Sequence, residues 1–294
     1  MSEIPAPSAP LLLTAAKLRC EIVPSLGGCI AGLWRGDVAV LRSPGAGALI
    51  SARQSGSYPL VPFSNRIAHA TLAWEGTNHP LVKNFGTEPH AIHGVGWTRS
   101  WDVIEADERF ALLSYQHQPD GSWPFAFDAT QAFRLSDDAL EMTLSITNQS
   151  KQATPVGLGW HPYFVKRTNS RIAFEATDRW EMDALKLPTH RSASNGISAA
   201  CATLDVDHCF DGWSGELQLE DDLLHTRITS TMQRLVVFTS AAQDYIAIEP
   251  VSHVNNAINL MAQGVASFES LGVLVLQPGE SMTREMTIHI EPAC

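Results

Sequence analysis

The sequence predicts an all-β fold, a large antiparallel β-sandwich, and three observations support this prediction. Apolar and polar side chains alternate with a period of two along segments such as residues 140–147, as a strand with one buried face requires. Turn-forming sequences, for example Pro-Asp-Gly at residues 119–121, separate such segments. Amphipathic helices are scarce, and residues 254–263 are the one helix candidate. Many short strands with frequent turns favour an antiparallel sandwich or barrel over a βαβ protein.

Strand patterning extends along most of the chain but is weak in one long region. Alternation continues to the C-terminal segment, where Met286, Ile288 and Ile290 alternate with polar residues. The strand candidates are residues 18–23, 30–34, 38–41, 101–105, 110–115, 140–147, 155–158, 216–219, 226–229, 235–239, 245–248 and 285–291. Residues 44–96 show no strong strand pattern. Because long ordered loops on β scaffolds commonly build binding sites, we expect functional residues there.

We predict a single domain over residues 1–294. The chain shows no repeat of fixed period, and no Gly/Ser-rich or Pro-rich linker divides its middle. Large all-β domains often reach this length as one unit. Residues 1–10 are polar and rich in proline, so we expect them to form a flexible N-terminal segment.

Charge and composition narrow the classes of partner. The formal net charge is −11, and the lysines and arginines are scattered without a basic block. This pattern argues against nucleic acid or an anionic membrane surface as a partner. A neutral small molecule is therefore favoured as the substrate.

The cysteines and the apolar runs indicate a cytoplasmic protein. The five cysteines are odd in number and include no CxxC pair, which disfavours a disulfide framework or a zinc knuckle. The apolar run at residues 11–13 is too short for a signal-peptide core, and no segment is apolar over the length needed to span a bilayer.

Two clusters of polar residues fall in the loop-rich region. Asn65 and Arg66 follow a stiff segment that contains two prolines, and together they offer several hydrogen-bond donors for sugar hydroxyls. A surface turn in which the arginine is ion-paired is the alternative. His90 and His93 have the HxxH spacing but lack the glutamate of HExxH, and the glycines next to them do not suit a helix. We therefore favour polar substrate contact over metal binding, with loop packing as the alternative.

Three further clusters lie later in the chain. His161 stands between Trp160 and a Pro-Tyr-Phe sequence, and such aromatic rings suit the apolar face of a sugar. The alternative is a buried histidine satisfied by a backbone carbonyl. Asp207 fits either a ligand contact or the cap of a turn. Glu249 ends an apolar strand just before Pro250, where low local polarity can shift a carboxyl pKa, or it is an ordinary ion-paired glutamate.

Other catalytic signatures are missing from the sequence. GxSxG, the P-loop and the Rossmann GxGxxG do not occur. Cys209 lies beside His208, but a small buried hydrophobic residue is the favoured interpretation of this cysteine.

Taken in order, these clusters resemble the aldose 1-epimerase (mutarotase) family, the galactose mutarotase-like proteins. The resemblance extends over residues 58–259 and rests on five sequences: Asn65-Arg66-Ile67, Ile92-His93-Gly94, Trp160-His161-Pro162-Tyr163-Phe164, Asp207-His208-Cys209-Phe210, and Glu249 within Ala-Ile-Glu-Pro. It implies a single β-sandwich with no metal and no organic cofactor.

The resemblance also implies roles for individual residues. Glu249 falls at the position of the catalytic base and His161 at that of the catalytic acid. Arg66, His93 and Asp207 fall on substrate-binding positions, and the neighbouring Asn65 and His90 are added as further candidates. The expected partner is a small-molecule monosaccharide, and the expected assembly is a monomer or a weak homodimer.

These roles imply a mechanism. Ionised Glu249 would take a proton from the C1 hydroxyl, and protonated His161 would give one to the ring oxygen, which opens the ring. The run after Glu249 reads Pro-Val-Ser-His-Val-Asn-Asn, whereas galactose-active members have a Thr-Gln-Asn-Trp-Pro-Asp type of run. This departure leaves the identity of the sugar open.

Three alternatives remain open at the level of sequence. A hexose 6-phosphate enzyme would need clustered cations, for which Arg53, Arg66 and Arg99 are candidates. A non-catalytic carbohydrate-binding protein could share the scaffold. A metal-dependent β-barrel isomerase would need three or more convergent histidine or carboxylate ligands.

Overall fold

The computed structural model describes residues 9–293. Most of the predicted flexible N-terminal segment, residues 1–8, lies outside the described residues, as does Cys294. Antiparallel sheets dominate the described part, which confirms the predicted all-β class.

Within residues 9–293 the strands, in chain order, are β1 (Leu11–Ala15), β2 (Leu18–Val23), β3 (Cys29–Arg35), β4 (Val38–Ala39), β5 (Pro59–Leu60), β6 (Arg66–Ile67), β7 (Thr71–Trp74), β8 (Thr77–Pro80), β9 (Ala91–Ile92), β10 (Asp102–Ala106), β11 (Phe110–His117), β12 (Phe127–Leu135), β13 (Ala139–Asn148), β14 (Thr154–Val156), β15 (Gly159–Trp160), β16 (Tyr163–Val165), β17 (Arg171–Phe174), β18 (Asp178–Met182), β19 (Pro188–Ala193), β20 (Ile197–Ala200), β21 (Val206–Asp211), β22 (Glu216–Glu220), β23 (Leu224–Ser230), β24 (Arg234–Thr239), β25 (Tyr245–Val251), β26 (Leu274–Leu276) and β27 (Ser281–Pro292).

Helical structure is confined to short segments. Those described are α1 (Ala257–Ala262), α2 (Phe268–Leu271) and the 3₁₀ turns Ala46–Ala48, Ala52–Gln54, Ala68–Ala70, Gly96–Thr98 and Cys201–Thr203. In the described part of the chain, no helix combines the length and apolar character needed to cross a bilayer.

Two large sheets form the sandwich. One has nine strands in the order β10-β11-β12-β13-β27-β23-β22-β17-β20. The other has eight, in the order β19-β18-β21-β24-β25-β15-β5, with β16 also paired to β25. Smaller sheets, β1-β2-β3-β4 and the pairs β14-β26, β6-β9 and β7-β8, flank them.

The core lies between the inward faces of the two large sheets. Residues of β12 alternate between buried and more exposed along the strand, as expected when one face packs inward. Phe174 of the nine-stranded sheet meets Phe210 of the eight-stranded sheet, with ring centroids 4.9 Å apart. Trp160 Nε1 donates a hydrogen bond of 3.2 Å to Gln131 Oε1 across the same interface. The amide of Gln131 thereby satisfies a buried indole that hydrophobic packing alone would leave unpaired.

The opposite face of the eight-stranded sheet carries Glu249, one of the residues singled out in the sequence. Register pairs Glu249 with Val236, and Ala247 with both Phe238 and Tyr163. Because side chains two residues apart on a strand share a face, these residues project from one side of the sheet. From Ile246 to Val251, β25 is buried on both faces, since residues of the 44–96 region cover the side that faces away from the core.

The predicted strands correspond to observed ones, with ends displaced by a few residues. The helix candidate at 254–263 shortens to α1, and residues 44–96 hold only strands of two to four residues. Outside the 44–96 region, strands β1, β12, β15 to β21 and β26 were not predicted, and two of them show why. Most of β19 is exposed, so it lacks an apolar face, and the inward positions of β12 include Ala129 and Gln131, which interrupt the apolar alternation.

Gly94 provides a test of the loop that covers β25. Its φ is +69°, and a Cβ there would lie 2.1 Å from the carbonyl oxygen of Val61. Gly94→Ala should lower the free energy of unfolding by about 2–5 kcal/mol, from left-handed strain plus overpacking. Gly76, with φ +76° and nothing within 4 Å of its Cβ position, is the matched control. Gly76→Ala should lower the free energy of unfolding by only about 1–2 kcal/mol. Urea titration of both variants measures the two losses, and equal losses would contradict this account.

Candidate active site

A cavity of about 620 Å³ opens between the 44–96 region and the eight-stranded sheet. Its size is ordinary for a small-molecule site. Six of the seven predicted site residues line it, from separate parts of the chain: Asn65, Arg66, His93, His161, Asp207 and Glu249. The fold therefore brings together the residues that the sequence motifs selected.

His161 and Glu249 touch inside this cavity. His161 Nε2 lies 3.2 Å from Glu249 Oε1, and the two residues are 8% and 3% exposed. β15 and β25 are paired, with Gly159 opposite Val251, and the backbone N–H of His161 donates to the carbonyl of Tyr58 at 3.0 Å. The contact is therefore set by sheet register and by a main-chain hydrogen bond.

Burial moves both groups of this pair toward their neutral forms. Desolvation raises the pKa of Glu249 well above its ordinary value, with Asp207 adding to the rise and Arg66 opposing it. Desolvation also lowers the pKa of His161 to about 3. Both shifts favour the neutral forms of the two groups, in which Glu249 keeps its proton. The mechanism expected from sequence has an ionised glutamate and an imidazolium, which is the same one-proton pair with the proton moved across the contact.

Two tyrosines surround the imidazole. The ring of Tyr163 stacks on His161 at a centroid distance of 4.4 Å, and that of Tyr58 lies 4.9 Å away on a tilted ring plane. The Tyr163 hydroxyl is 3.5 Å from His161 Nε2 and 3.2 Å from the Tyr58 hydroxyl. The sequence analysis included Tyr163 in a motif but assigned it no role. Its contact with His161 depends on the pairing of β16 with β25, which the sequence does not show.

Asn65 and His93 hold each other in place. Both residues adopt left-handed backbone, with φ values of +53° and +61°. The backbone N–H of Asn65 donates to His93 Nδ1 at 3.1 Å, and the backbone N–H of His93 donates to the Asn65 carbonyl at 2.8 Å. Since His93 Nδ1 accepts, its Nε2 carries the hydrogen in the neutral ring. Burial lowers the pKa of His93 well below its usual range, which keeps the ring neutral.

This hydrogen-bonding pattern bears on metal binding. In the described part of the chain, His93, His161 and Glu249 form a group whose potential ligand atoms all lie within 4.8 Å of one another. A metal needs a free imidazole lone pair, but Nδ1 of His93 is occupied by the Asn65 N–H and Nε2 is protonated. Two protein donors then remain, fewer than the three of catalytic zinc sites. The donor set does not fit a metal without breaking the Asn65 contact.

Arg66 and Asp207 face the cavity with partners behind them. Arg66 Nη2 lies 3.2 Å from Glu88 Oε1, and its Nη1 donates to Asn65 Oδ1 at 3.2 Å. Lys186 Nζ lies 2.9 Å from Asp207 Oδ2. These contacts orient both groups, while Arg66 keeps further N–H donors and Asp207 further lone pairs for a ligand.

His90, the seventh predicted residue, is fully buried and does not line the cavity. Its Nδ1 accepts from the backbone N–H of His69 at 3.0 Å, and its Nε2 bonds the Leu185 carbonyl at 3.1 Å. Both ring nitrogens are therefore used. His90 bonds the residue next to Lys186, whose ammonium group pairs with Asp207 of the cavity wall.

The run after Glu249 that departs from the galactose-active type supports the Arg66 loop. His253 Nε2 accepts from the backbone N–H of Ser64 at 3.0 Å. Asn256 accepts from the N–H of Ala68 at 3.0 Å through Oδ1, and its own N–H donates to the Arg66 carbonyl at 2.9 Å. These side chains connect the segment after Glu249 to the loop of Arg66, a long-range contact that no local sequence pattern indicates.

Arg99 and Cys209, two further candidates from the sequence, lie outside the cavity. Two further arginines line it, and the sequence analysis had proposed one of them for a different function and had not considered the other. Arg99 pairs with Asp120 at 2.9 Å and does not line the cavity. Cys209 is buried, and burial raises the pKa of its thiol to about 12, which suits packing. Arg42 and Arg53 line the cavity. Of these, only Arg53 was a candidate, and nothing in the sequence pattern distinguishes Arg42 from other arginines.

The raised pKa of Glu249 predicts a pH-dependent stability. The folded protein keeps this proton at pH values where the unfolded chain, with an ordinary pKa of 4.5, has lost it. The contribution of Glu249 to stability is therefore full below that value and is lost as pH rises toward the folded pKa. Glu249→Gln should gain stability relative to wild type by up to about 1.4 kcal/mol per pH unit over this window.

Thermal melts of wild type and Glu249→Gln at pH values from about 5 to about 8 measure this gain. Glu105→Gln, on the exposed part of β10, is the control and should show no widening gap. A difference in melting temperature that stays constant with pH would contradict the raised pKa.

Comparison with known proteins identifies the family to which this chain belongs. The family model described as aldose 1-epimerase matches residues 11–289. The uncharacterised Escherichia coli K12 protein YphB is 30% identical over 288 residues, covering 92% of this chain and 94% of YphB. A crystal structure from Escherichia coli K12, provisionally described as an aldose 1-epimerase, has a TM-score of 0.86 at 28% identity and covers 97% of this chain and 99% of that one.

A galactose mutarotase-like protein from Clostridium acetobutylicum shares the fold, with a TM-score of 0.81 at 21% identity and coverage of 96% and 95% of the two chains. The chain therefore belongs to the aldose 1-epimerase family, with the galactose mutarotase-like β-sandwich that its motifs indicated.

Proposed function

We propose that this protein is a mutarotase, which interconverts the α and β anomers of an aldose by acid–base opening of the ring. The observation that carries the proposal is the 3.2 Å contact between His161 Nε2 and Glu249 Oε1 inside the cavity. Ring opening moves one proton from the C1 hydroxyl and one to the ring oxygen. Both oxygens are bonded to C1, so the acid and the base must lie side by side.

The proposed reaction needs only proton transfers. Glu249 takes the proton of the C1 hydroxyl, the bond from C1 to the ring oxygen breaks with its electron pair moving to that oxygen, and His161 protonates it. The open aldehyde turns about the C1–C2 bond. The new hydroxyl then adds to the other face, as His161 takes its proton and Glu249 returns a proton to the carbonyl oxygen. The enzyme ends in its starting state, and no redox cofactor takes part.

The pair has to reach its charged form before the first step. Desolvation by burial shifts both pKa values so that the neutral forms are favoured, with the proton on Glu249. A bound sugar offers hydroxyl donors to the carboxylate, and hydrogen bonds to a charged form favour that form. Arg66 also lowers the pKa of Glu249. In this proposal, sugar binding therefore moves the proton to His161.

The remaining lining residues hold the hydroxyls. His93 presents an Nε2–H donor, Arg66 presents guanidinium donors and Asp207 presents a carboxylate acceptor. Asn65 orders His93 and Arg66 through the contacts described above. Their combined effect is to keep the open-chain aldehyde in place until it closes again.

We also propose that the chain works as one domain in the cytoplasm. One contiguous hydrophobic cluster includes buried residues from both large sheets and from the segments that cover the cavity, so no part of the site belongs to a separate core.

Substitution of either member of the pair should remove turnover more than binding. Glu249→Gln should lower kcat by about 10²–10⁴-fold, since a positioned proton transfer is lost, while sugar binding persists. His161→Asn should likewise reduce kcat more than it raises KM. Polarimetry with freshly dissolved α-glucose or α-galactose measures the rates, and calorimetry measures binding.

The exposed His225, outside the cavity, supplies the control His225→Asn, which should behave like wild type. If Glu249→Gln equilibrates the anomers at nearly the wild-type rate, Glu249 is not the base. If the wild type gives no rate above that of buffer while binding sugar, the protein is a carbohydrate-binding module.

Arg66 should act mainly in binding. Arg66→Ala removes charge-assisted hydrogen bonds to sugar hydroxyls, which are worth about 1.5–3 kcal/mol each, so KM should rise by about 10–100-fold with a smaller change in kcat. Arg227→Ala, at an arginine beside Glu216 outside the cavity, is the matched control. A fall in kcat with unchanged KM would place Arg66 in the chemical step instead.

A further inference from the structure

The cavity wall is unusually positive for this protein. The chain as a whole carries a formal net charge of −11, yet Arg42, Arg53 and Arg66 all line the cavity. Arg66 is paired with Glu88 and Asp207 with Lys186. Within residues 9–293, neither Arg42 nor Arg53 has a carboxylate oxygen within 4.0 Å. Two guanidinium groups at the cavity are thus left without a counter-charge from the described protein.

The side chain of Arg53 has donors to spare. It is exposed, and its guanidinium carbon lies 3.7 Å from the centroid of the Phe85 ring. Within the described residues, the guanidinium makes neither a hydrogen bond nor an ion pair besides this ring contact. A cation–π contact fixes the plane of the group but leaves its five N–H bonds free for an anion.

Arg42 orders the loop that presents Arg53. Its Nε and Nη2 donate to the carbonyl of Ser55, and Nη2 also donates to the carbonyl of Arg53. The guanidinium lies over the ring of Tyr163, 3.8 Å from its centroid. Three main-chain contacts and an aromatic face hold this charge at the wall, where its position is set before any ligand arrives.

One aromatic side chain separates each arginine from a histidine of the site: Tyr163 lies between Arg42 and His161, and Phe85 between Arg53 and His93. Tyr163, under Arg42, stacks on His161 at 4.4 Å. Phe85, under Arg53, has its ring centroid 6.2 Å from that of His93. An anion held by these arginines would therefore lie beyond the reacting centre, on a part of the sugar remote from C1.

The positive wall also opposes the proposed chemistry unless an anion offsets it. Arg42 lowers the pKa of His161, and Arg53 contributes to lowering the pKa of His93. The acid step needs a protonated His161, so unpaired guanidinium charge nearby is unfavourable. A negative group on the substrate would neutralise that charge and stabilise the imidazolium.

We propose that the substrate is an aldose with an anionic group remote from C1, a phosphate or a carboxylate, which Arg53 binds with the support of Arg42. The inference rests on the proposed mutarotase function and names the class of sugar on which it acts. Guanidinium groups match the oxygens of phosphate and carboxylate in a bidentate geometry, so either group satisfies the site.

The test compares sugars that differ in charge. Anomer exchange by wild type is measured by NMR exchange spectroscopy for glucose, glucose 6-phosphate and glucuronate, and their binding is measured by calorimetry. We expect kcat/KM for at least one of the two anions to exceed that for glucose by about tenfold or more. The arm that shows this preference identifies the phosphate or the carboxylate. The preference should shrink as salt rises, because the guanidinium is exposed.

Arg53→Gln should lower the ratio of kcat/KM for the preferred anion to that for glucose by about 10–100-fold, the loss expected for a charge-assisted hydrogen bond. Arg99→Gln, which removes an arginine paired with Asp120 outside the cavity, is the control and should leave the ratio unchanged. The ratio separates anion recognition from loss of structure, since a poorly folded variant loses activity on both sugars alike.

Three results would overturn the inference. Wild type could turn over glucose as well as or better than both anions, Arg53→Gln could leave the ratio unchanged, or neither anion could bind more tightly than glucose. If no sugar exchanges faster than in buffer but an anionic sugar binds in a manner dependent on Arg53, the mutarotase proposal fails while the anion site stands.

Discussion

The contact between His161 and Glu249 is the constraint on which the rest of the structure depends. His161 Nε2 and Glu249 Oε1 lie 3.2 Å apart and both side chains are buried, so a proton can pass directly between them. Their burial costs stability, because neither charge is solvated and each is pushed toward its neutral form. The surrounding fold compensates with a large, continuous core and with strands that leave this contact little freedom.

Rigidity on the sheet side of the cavity comes from register. Glu249 lies in a strand that is buried on both faces and paired with β24 and β16. Rigidity on the loop side comes from side chains that bond main-chain groups. His253 holds Ser64, Asn256 holds Ala68, and the Asn65 N–H holds the ring of His93. Each such bond satisfies a polar group of irregular backbone that would otherwise be buried without a partner.

Electrostatics around the cavity are arranged in pairs, except at one wall. Arg66 and Asp207 are each balanced by an outer residue of opposite charge, so they meet a ligand as oriented groups with reduced net charge. Tyr163 links the acid to the remaining wall by stacking between His161 and Arg42. The part of the cavity around Arg66 and Asp207 is thus nearly balanced in charge, and the unpaired positive charge lies on the wall formed by Arg42 and Arg53.

Much of this protein could be predicted from sequence, because some signals are local. Period-two alternation predicted strands such as β2 and β13, and the turn sequences predicted their boundaries, since both depend on neighbouring residues. The motifs around Arg66, His93, His161, Asp207 and Glu249 selected the cavity residues through family resemblance. Strands β12 and β19 escaped because an inward glutamine or an exposed surface removes the apolar alternation.

Tertiary structure alone settled what depends on distance. Whether a histidine has a ring nitrogen free at the cavity depends on its neighbours in space, and that separates His93, which lines the cavity, from His90, whose two ring nitrogens are both bonded. The pKa shifts of His161 and Glu249 follow from burial, which no local pattern contains. Arg42 and Arg53 became part of one wall because residues eleven positions apart in a loop fold against the same cavity. The sequence thus supplies the chemical groups, and the folded sandwich determines which groups are neighbours, how well each is solvated and therefore which charge state each favours.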